Sequence, residues 1–356
     1  MIALLSSGVT LGTYVPALIL AHRLRAAGAV VRTEVLERSL NRTELDRLGD
    51  MKSAFRANFA VALASQRMVR DRTPALDSEE VAKLVKQWRA ERIRVLVIFS
   101  GFWVPIVEQY EAVADHPVQV DVCHLDCAAT TSLSLFDSRV ERFRHVWFFK
   151  EPPDAVRMSI PVSDEPVVPW SRRVKRLLAH GGGWGLGTYR NRAKEVVRQG
   201  LDVDMVVHDP SDIEAAVRGM AYYLVDPAWE AWRDGGFPPL GKVHGNRPTK
   251  FRRTTTYHGS FDLARQRVAM MCKTGGGSLL DSLWAATPIV SLEPFGAHER
   301  ANSELWQRLG FGVSFETWRN SGYSLDLLEQ LHRNLLRARD RVPDYTADLA
   351  AISSGG

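Results

Sequence analysis

Apolar and polar positions alternate along this chain in blocks, each a short apolar run, a glycine-bearing turn, a helical pattern and another apolar run. "IALLSS" (2–7) is followed by "GVTLGTY" (8–14), then by "VPALILAHRLRAAG" (15–28), whose helical spacing stops on Gly28, and by "AVVRTEVL" (29–36). This predicts a βαβ unit. A helical stretch over about 43–91, broken near "RTPALDS", leads to a buried strand in "IRVLVIFS", a helix in "VPIVEQYEAVAD" and strands in "PVQVDVCHL" and "RHVWFFK". Residues 151–170 carry five prolines and little periodicity, as an interdomain linker does. The alternation then restarts with "VKRLLAH", the turn "GGGWGLGT", the helix "YRNRAKEVVRQG" and the strand "VDMVVHD". "AYYLVD", "TTTYHG", "VAMMC" and "TPIVSLE" are further strand candidates, and the chain beyond about 325 reads as helical.

The fold class expected is therefore α/β, with two Rossmann-like doubly wound domains facing a cleft. The first spans 1–150 and the second 171–335, with the linker at 151–170 and a helical tail at 336–356. Composition fits a globular chain of this length: 356 residues, 45% hydrophobic, 24% charged. The net charge of +5 suits a phosphate-bearing or acidic ligand, yet the basic residues are dispersed, so nucleic acid is not the expected partner. "MIALLSSG" lacks a basic leader region, and no apolar run reaches the roughly 18 residues that span a bilayer. A cytoplasmic protein is expected, and arginine-, alanine- and leucine-rich usage fits a GC-rich bacterial gene. Cys123, Cys127 and Cys272 are read as reduced thiols.

Three turns place glycines between a strand and a helix: "SSGVTLGTY" (6–14), "HGGGWGLGTY" (180–189) and "CKTGGGSLLDS" (272–282). Glycine lets backbone amides approach an anion, and the helix start adds unpaired N–H groups and partial positive charge. Each turn is either a phosphate cradle or a tight βα connection, and three in corresponding places favour the cradle. None matches the G-x-G-x-x-G or G-K-[ST] patterns of dinucleotide and ATP sites. In the third, Ser278 and Asp281 also have the spacing of a helix capping box.

The segment from Lys273 onward resembles the donor-binding region of GT-B nucleotide-sugar glycosyltransferases. Gly275, Gly277, Ser278, Asp281, Pro288, Pro294, His298, Glu299 and Asn302 follow that pattern in order. The N-terminal strand, glycine loop and P-x-L-x-L-A helix are similar to the family's opening, so the resemblance covers most of residues 1–315, and its nearest patterns are the inverting antibiotic-type and lipid-precursor enzymes. It implies that Gly183, Lys273, Thr274, Gly275, Gly276, Gly277 and Ser278 cradle the diphosphate of a UDP- or TDP-sugar. Asp281 would bind ribose, and His298 and Glu299 with Asn302 the sugar. Gly8, Gly12, Thr13 and Ser100 would form the acceptor-side loop.

Two departures concern the base. Inverting members carry a histidine where this chain has Thr13, and an orienting aspartate where it has Ser100. An unassisted hydroxyl is too weak a base near neutral pH. The replacement candidates are Asp126, then His124, at the end of a predicted strand in "CHLDC"; otherwise the acceptor is acidic enough to need none. A zinc site on Cys123, His124 and Cys127 lacks further ligands, and no metal or cofactor is expected beyond the nucleotide-sugar co-substrate. A retaining E-x7-E motif is absent, since Ala301 stands eight residues after Glu293. The basic cluster Lys242, Arg247, Lys250, Arg252 and Arg253 is a further candidate for the leaving charge. The expected activity is inverting transfer of a sugar to a small natural-product acceptor, and the assembly considered is a homodimer. The alternatives are a sugar-nucleotide epimerase or a non-catalytic relative.

Overall fold

The computed structural model describes residues 1–356 except 10, 67–68, 151–154, 215–216, 246–248 and 355–356, and the side chains of 353 and 354 are likewise left aside. The chain forms two compact units, Met1–Ile160 with Pro343–Gly356, and Pro161–Val342.

The first unit opens with β1 (Ile2–Ser6), α1 (Tyr14–Ala26) and β2 (Val31–Val35). Helices α2 (Arg42–Ala57), α3 (Phe59–Ser65) and α4 (Ser78–Glu91) precede β3 (Val95–Ile98). Then come α5 (Val104–Glu111), β4 (Gln119–His124), α6 (Thr131–Ser134), α7 (Asp137–Val140) and β5 (Arg144–Trp147). The five strands pair in parallel in the order β2-β1-β3-β4-β5. All residues of β1 and β3 are buried, the reason these strands read as continuous apolar runs: helices cover both faces of a parallel sheet. One core gathers Ala3, Leu5, Ile98 and Val122 with Trp88, Trp103 and Tyr110. Asp77 starts α4 by accepting hydrogen bonds from the Glu79 and Glu80 amides.

The second unit contains β6 (Val174–His180), α8 (Tyr189–Arg198), β7 (Asp202–Val207), β8 (Met220–Val225), α9 (Ala231–Asp234) and β9 (Leu240–Lys242). It continues with α10 (Gly259–Gln266), β10 (Arg267–Cys272), α11 (Gly276–Ala285), β11 (Ile289–Ser291), α12 (Ala297–Arg308), β12 (Gly312–Ser314), α13 (Phe315–Asn320) and α14 (Leu325–Arg339). Its sheet runs β12-β11-β10-β6-β7-β8-β9, parallel except for the edge strand β9. The last helix, α15 (Tyr345–Ser354), belongs to the first unit and packs with α1.

Three local expectations change. "TTTYHG" is not a strand; it forms the irregular approach to α10, where His258 is the residue before the helix. The edge strand is instead β9, whose glycine and flanking prolines hide the β signal. Ser278 does not cap α11: Gly275 occupies that place, the Ser278 amide bonds the Gly275 carbonyl at 2.8 Å, and Ser278 is already inside the helix. Glycine can begin the helix three residues earlier than the serine would.

Candidate functional site

Each sheet has a point where the strand order reverses, and open α/β sheets take ligands there, beyond the carboxyl ends of the strands. In the second unit that point lies between β6 and β10, which pair up to Cys272 beside His180. The loops that follow are Gly181–Thr188 and Lys273–Gly275, two of the three glycine turns. The first contains Gly182, Gly185 and Gly187, all with positive φ, and Gly183 between them. At Gly187 φ +104° strains any side chain, and an added Cβ would also crowd Lys273, whose Cδ would lie 3.3 Å away.

Lys273 is almost fully buried, its ammonium 3.1 Å from Oε1 of Glu299 and above the Phe295 ring. Oε2 of Glu299 accepts the Phe295 amide at 2.6 Å. Thr274 donates its hydroxyl to the Glu299 carbonyl at 2.7 Å, and Asn302 donates its side-chain amide to the Thr274 carbonyl at 2.7 Å. Glu299 and Asn302 thus brace the Lys273–Gly275 loop, while His298 sits beside them on the first turn of α12. Gly276 and Gly277 form the first turn of α11, which begins without a side-chain cap. Its amides add to the positive end of the helix.

Asp281, one turn into α11, accepts from or pairs with Nε2 of His258 at 3.0 Å, and Nδ1 of His258 meets the Ser260 hydroxyl at 2.7 Å. His180 stands at the end of β6; the Gly182 amide donates to its Nδ1 at 3.3 Å, which puts the neutral ring's proton on Nε2. Burial pushes His180 down to about 4, with Asp281 acting against that and Lys273 and His258 adding to it. The ring is a neutral donor at physiological pH. Burial also raises Cys272, which is hydrogen-bonded to Ser278, to about 12, so it remains a thiol. Lys273, His180, His258, Asp281 and the glycine amides form one polar cluster suited to an anion bearing hydroxyls. The sequence placed His180 and His258 at strand ends, as site or loop residues alike; the bond from His258 to Asp281 had no local signal, since the two are 23 residues apart.

Lys242 is placed elsewhere. With Arg176, Asp202, Asp204, Arg218 and Arg267 it lines a cavity of about 540 Å³ at the opposite, amino-terminal edge of the same sheet. Arg252 pairs its backbone with Leu240, Arg253 reaches the Asp234 carbonyl, Lys250 is exposed, and Arg247 lies outside the described residues.

In the first unit the strand order reverses between β1 and β3. The loop after β1 is held by its own polar groups: the Thr13 hydroxyl donates to the Ser7 carbonyl at 3.1 Å and accepts the Ser7 amide at 3.3 Å. Gly8 is buried, Gly12 exposed, and Leu11 between them has φ 60°. Ser100, after β3, lies 3.4 Å from the Ser132 hydroxyl. A carboxylate that the motifs did not disclose, Glu37, is buried under this loop, accepting the Ser7 hydroxyl at 2.6 Å and the Gly8 amide at 2.8 Å.

His124 is on β4, stacked on Trp147 with ring centres 3.7 Å apart. Its Nε2 lies 2.8 Å from Nδ1 of His145, whose Nε2 meets the Val140 carbonyl at 3.1 Å. The carbonyl can only accept, so His145 carries its proton on Nε2 and His124 donates from its own. Burial, then His145 and Lys150, push His124 down to about 3, which makes it a weak proton acceptor near neutrality. Asp126 is buried in the loop that follows β4. Among the described residues no group of three or more His, Cys, Asp or Glu side chains is arranged to hold a metal ion, and no helix is long and apolar enough to cross a membrane.

No family model and no curated protein matches the chain. Solved structures do. The glycosyltransferase SnogD from Streptomyces nogalater aligns over 99% of both chains with a TM-score of 0.56 at 15% identity. The glycosyltransferase VinC in complex with dTDP aligns over 100% of both chains with a TM-score of 0.55 at 12% identity. UGT89C1 from Arabidopsis thaliana complexed with UDP aligns over 99% of both with a TM-score of 0.53 at 14% identity. At these identities the similarity is one of fold: two parallel-sheet domains of the GT-B glycosyltransferase type.

Proposed function

We propose that this chain is an inverting glycosyltransferase that takes a sugar from a nucleoside diphosphate and gives it to a small-molecule acceptor. The second unit holds the donor and the first holds the acceptor. The observation that carries this reading is the cluster at the β6/β10 switch point, with Lys273, the neutral His180 and the uncapped start of α11 on a fold shared with glycosyltransferases. Leaving-group departure builds charge on the diphosphate, and fixed donors aimed at that charge lower the barrier without reorganising during the reaction. Lys273 and the loop amides fill that role with no metal. Asp281, held by His258, presents its second oxygen to ribose hydroxyls.

The thymidine and uridine diphosphates bound by VinC and UGT89C1 support TDP or UDP as the nucleotide. The setting proposed is natural-product glycosylation in the cytoplasm. A thermal-shift titration with UDP, TDP, GDP and ADP tests the donor site. One of them should stabilise the wild type by an amount that grows with its concentration, and Asp281→Ala should reduce that stabilisation. If none shifts the melting temperature, the donor assignment is abandoned.

A further inference from the structure

Glu37 is a buried titratable group in the first unit for which packing alone gives no explanation. It lies in a short 3-10 turn over Leu36–Ser39, just beyond β2, and is 1% exposed. Both carboxylate oxygens point at the loop after β1: Oε1 accepts the Ser7 hydroxyl at 2.6 Å and Oε2 the Gly8 amide at 2.8 Å. A hydroxyl with its proton committed to a carboxylate still has oxygen lone pairs to offer. Among the described residues, the Val9 amide also approaches this oxygen, at 3.5 Å, which is long for a hydrogen bond. Ser7 is only partly buried, whereas Glu37 is closed off beneath it.

A second observation falls on the same loop. Leu11 has φ 60°, a left-handed conformation that non-glycine residues seldom adopt and that surrounding structure must enforce. Thr13 provides some of that enforcement through its two bonds to the Ser7 backbone. The loop stands at the carboxyl edge of the sheet, at the reversal of strand order.

We propose that Ser7 and Glu37 form a proton-accepting pair for the acceptor hydroxyl, Ser7 Oγ taking that proton as it passes its own to Oε1 of Glu37. The inference rests on the glycosyl-transfer reading above. The acceptor oxygen forms its bond to the anomeric carbon, and the bond from that carbon to the diphosphate oxygen breaks. The electron pair leaves with the nucleoside diphosphate, and the acceptor's proton is replaced in the relay by the one that ends on Glu37. Ser7 is the catalytic residue here and Glu37 acts through it. Burial raises the carboxyl above the ordinary glutamate range, against the lowering effect of Ser7, Gly8 and the more distant Arg72 cation, so the group is a better base than an exposed carboxylate. From outside its own segment, the Arg72 cation acts on Glu37.

The test compares wild type, Ser7→Ala, Glu37→Gln and Glu37→Asp, using UDP-glucose and TDP-glucose as donors. The two acceptors are 2-phenylethanol, a weakly acidic alcohol, and 4-nitrophenol, which ionises without help. A proton acceptor matters in proportion to how hard the proton is to remove. Ser7→Ala and Glu37→Gln should lose about 100-fold or more in kcat/KM with 2-phenylethanol and at most a few-fold with 4-nitrophenol. Glu37→Asp should recover part of the loss, and the rising acidic limb of the pH profile should vanish in Glu37→Gln. Equal losses on both acceptors would mean that Glu37 only braces the loop, and would overturn the pair. If Glu37→Gln does not fold, Ser7→Ala, which removes one oxygen, decides the matter. Wild type that is stabilised by a diphosphate yet transfers to neither acceptor overturns the pair and leaves the donor site standing. If no diphosphate stabilises it either, the glycosyl-transfer reading falls as well.

Discussion

Asp281 and His258 meet at 3.0 Å between α11 and the residue that opens α10, with both side chains largely shielded from water. The bond orients the carboxylate and joins the two helices that flank β10. His258→Ala removes the partner and leaves a poorly solvated carboxylate, a change that costs about 1–3 kcal/mol. Urea unfolding should show that loss, and the stabilisation by UDP or TDP should fall with it. A variant as stable and as responsive as wild type would remove His258 from the site.

Lys273 and Glu299 are a buried ion pair whose partners are each less than a tenth exposed. Breaking such a pair on one side strands the other charge, at about 3–5 kcal/mol, whereas neutralising both sides is far milder. Lys273→Met should therefore be much less stable than the double variant Lys273→Met/Glu299→Gln, while both lose diphosphate binding. Chemical denaturation of the set checks this; equal stability of single and double variants would show that the pair is not coupled.

Acid should weaken the fold before the carboxylates titrate. His180 and His124 are lowered to about 4 and about 3 in the folded chain, against about 6.5 when unfolded. Between these values the unfolded chain binds more protons, so stability rises with pH. The contribution is complete above about 6.5 and is lost as pH falls, at up to about 1.4 kcal/mol per pH unit for each histidine. Urea midpoints at pH 8, 6 and 5 should fall in that order, and His180→Asn should flatten the trend. A midpoint unchanged from pH 8 to 5 would contradict it.

The return of the chain's end to the first unit has a buried anchor. Tyr345 donates to Oδ2 of Asp121 at 2.7 Å, and Arg144 holds the same carboxylate through two nitrogens. Arg144 also reaches Asp348 on α15 at 2.9 Å. Tyr345→Phe keeps the packed ring but removes one bond to a charged acceptor, at about 1.5–3 kcal/mol. Limited proteolysis should cut α15 sooner in the variant; an identical time course would mean that the bond does not secure the helix.

The pattern of apolar residues was enough to read β1, β3 and β10, which are buried along their whole length and so are apolar at nearly every position, and β4, β6 and β7, whose apolar residues are interrupted by charged ones. Glycine turns were legible for an equally local reason: backbone with positive φ strains a side chain, as at Gly187, where φ is +104°. Hence the fold class could be read from the sequence by itself, and so could the glycine turns that the structure places after β6 and β10.

Partners were not legible. Glu37 finds Ser7 thirty residues away, His258 finds Asp281 across 23, and Tyr345 finds Asp121 across 224. Periodicity records that a position is buried, and a capping pattern records that a helix can begin, but neither records which strand lies next to which. Strand order decides that, and with it which polar groups are buried together and must satisfy one another. The same Ser278 that reads locally as a cap becomes an interior helical residue beside Cys272, because Gly275 starts the helix first. The sequence determined the elements and the places where a ligand can be held; the tertiary structure decided which side chains meet there, since desolvation penalises every polar group that arrives without a partner.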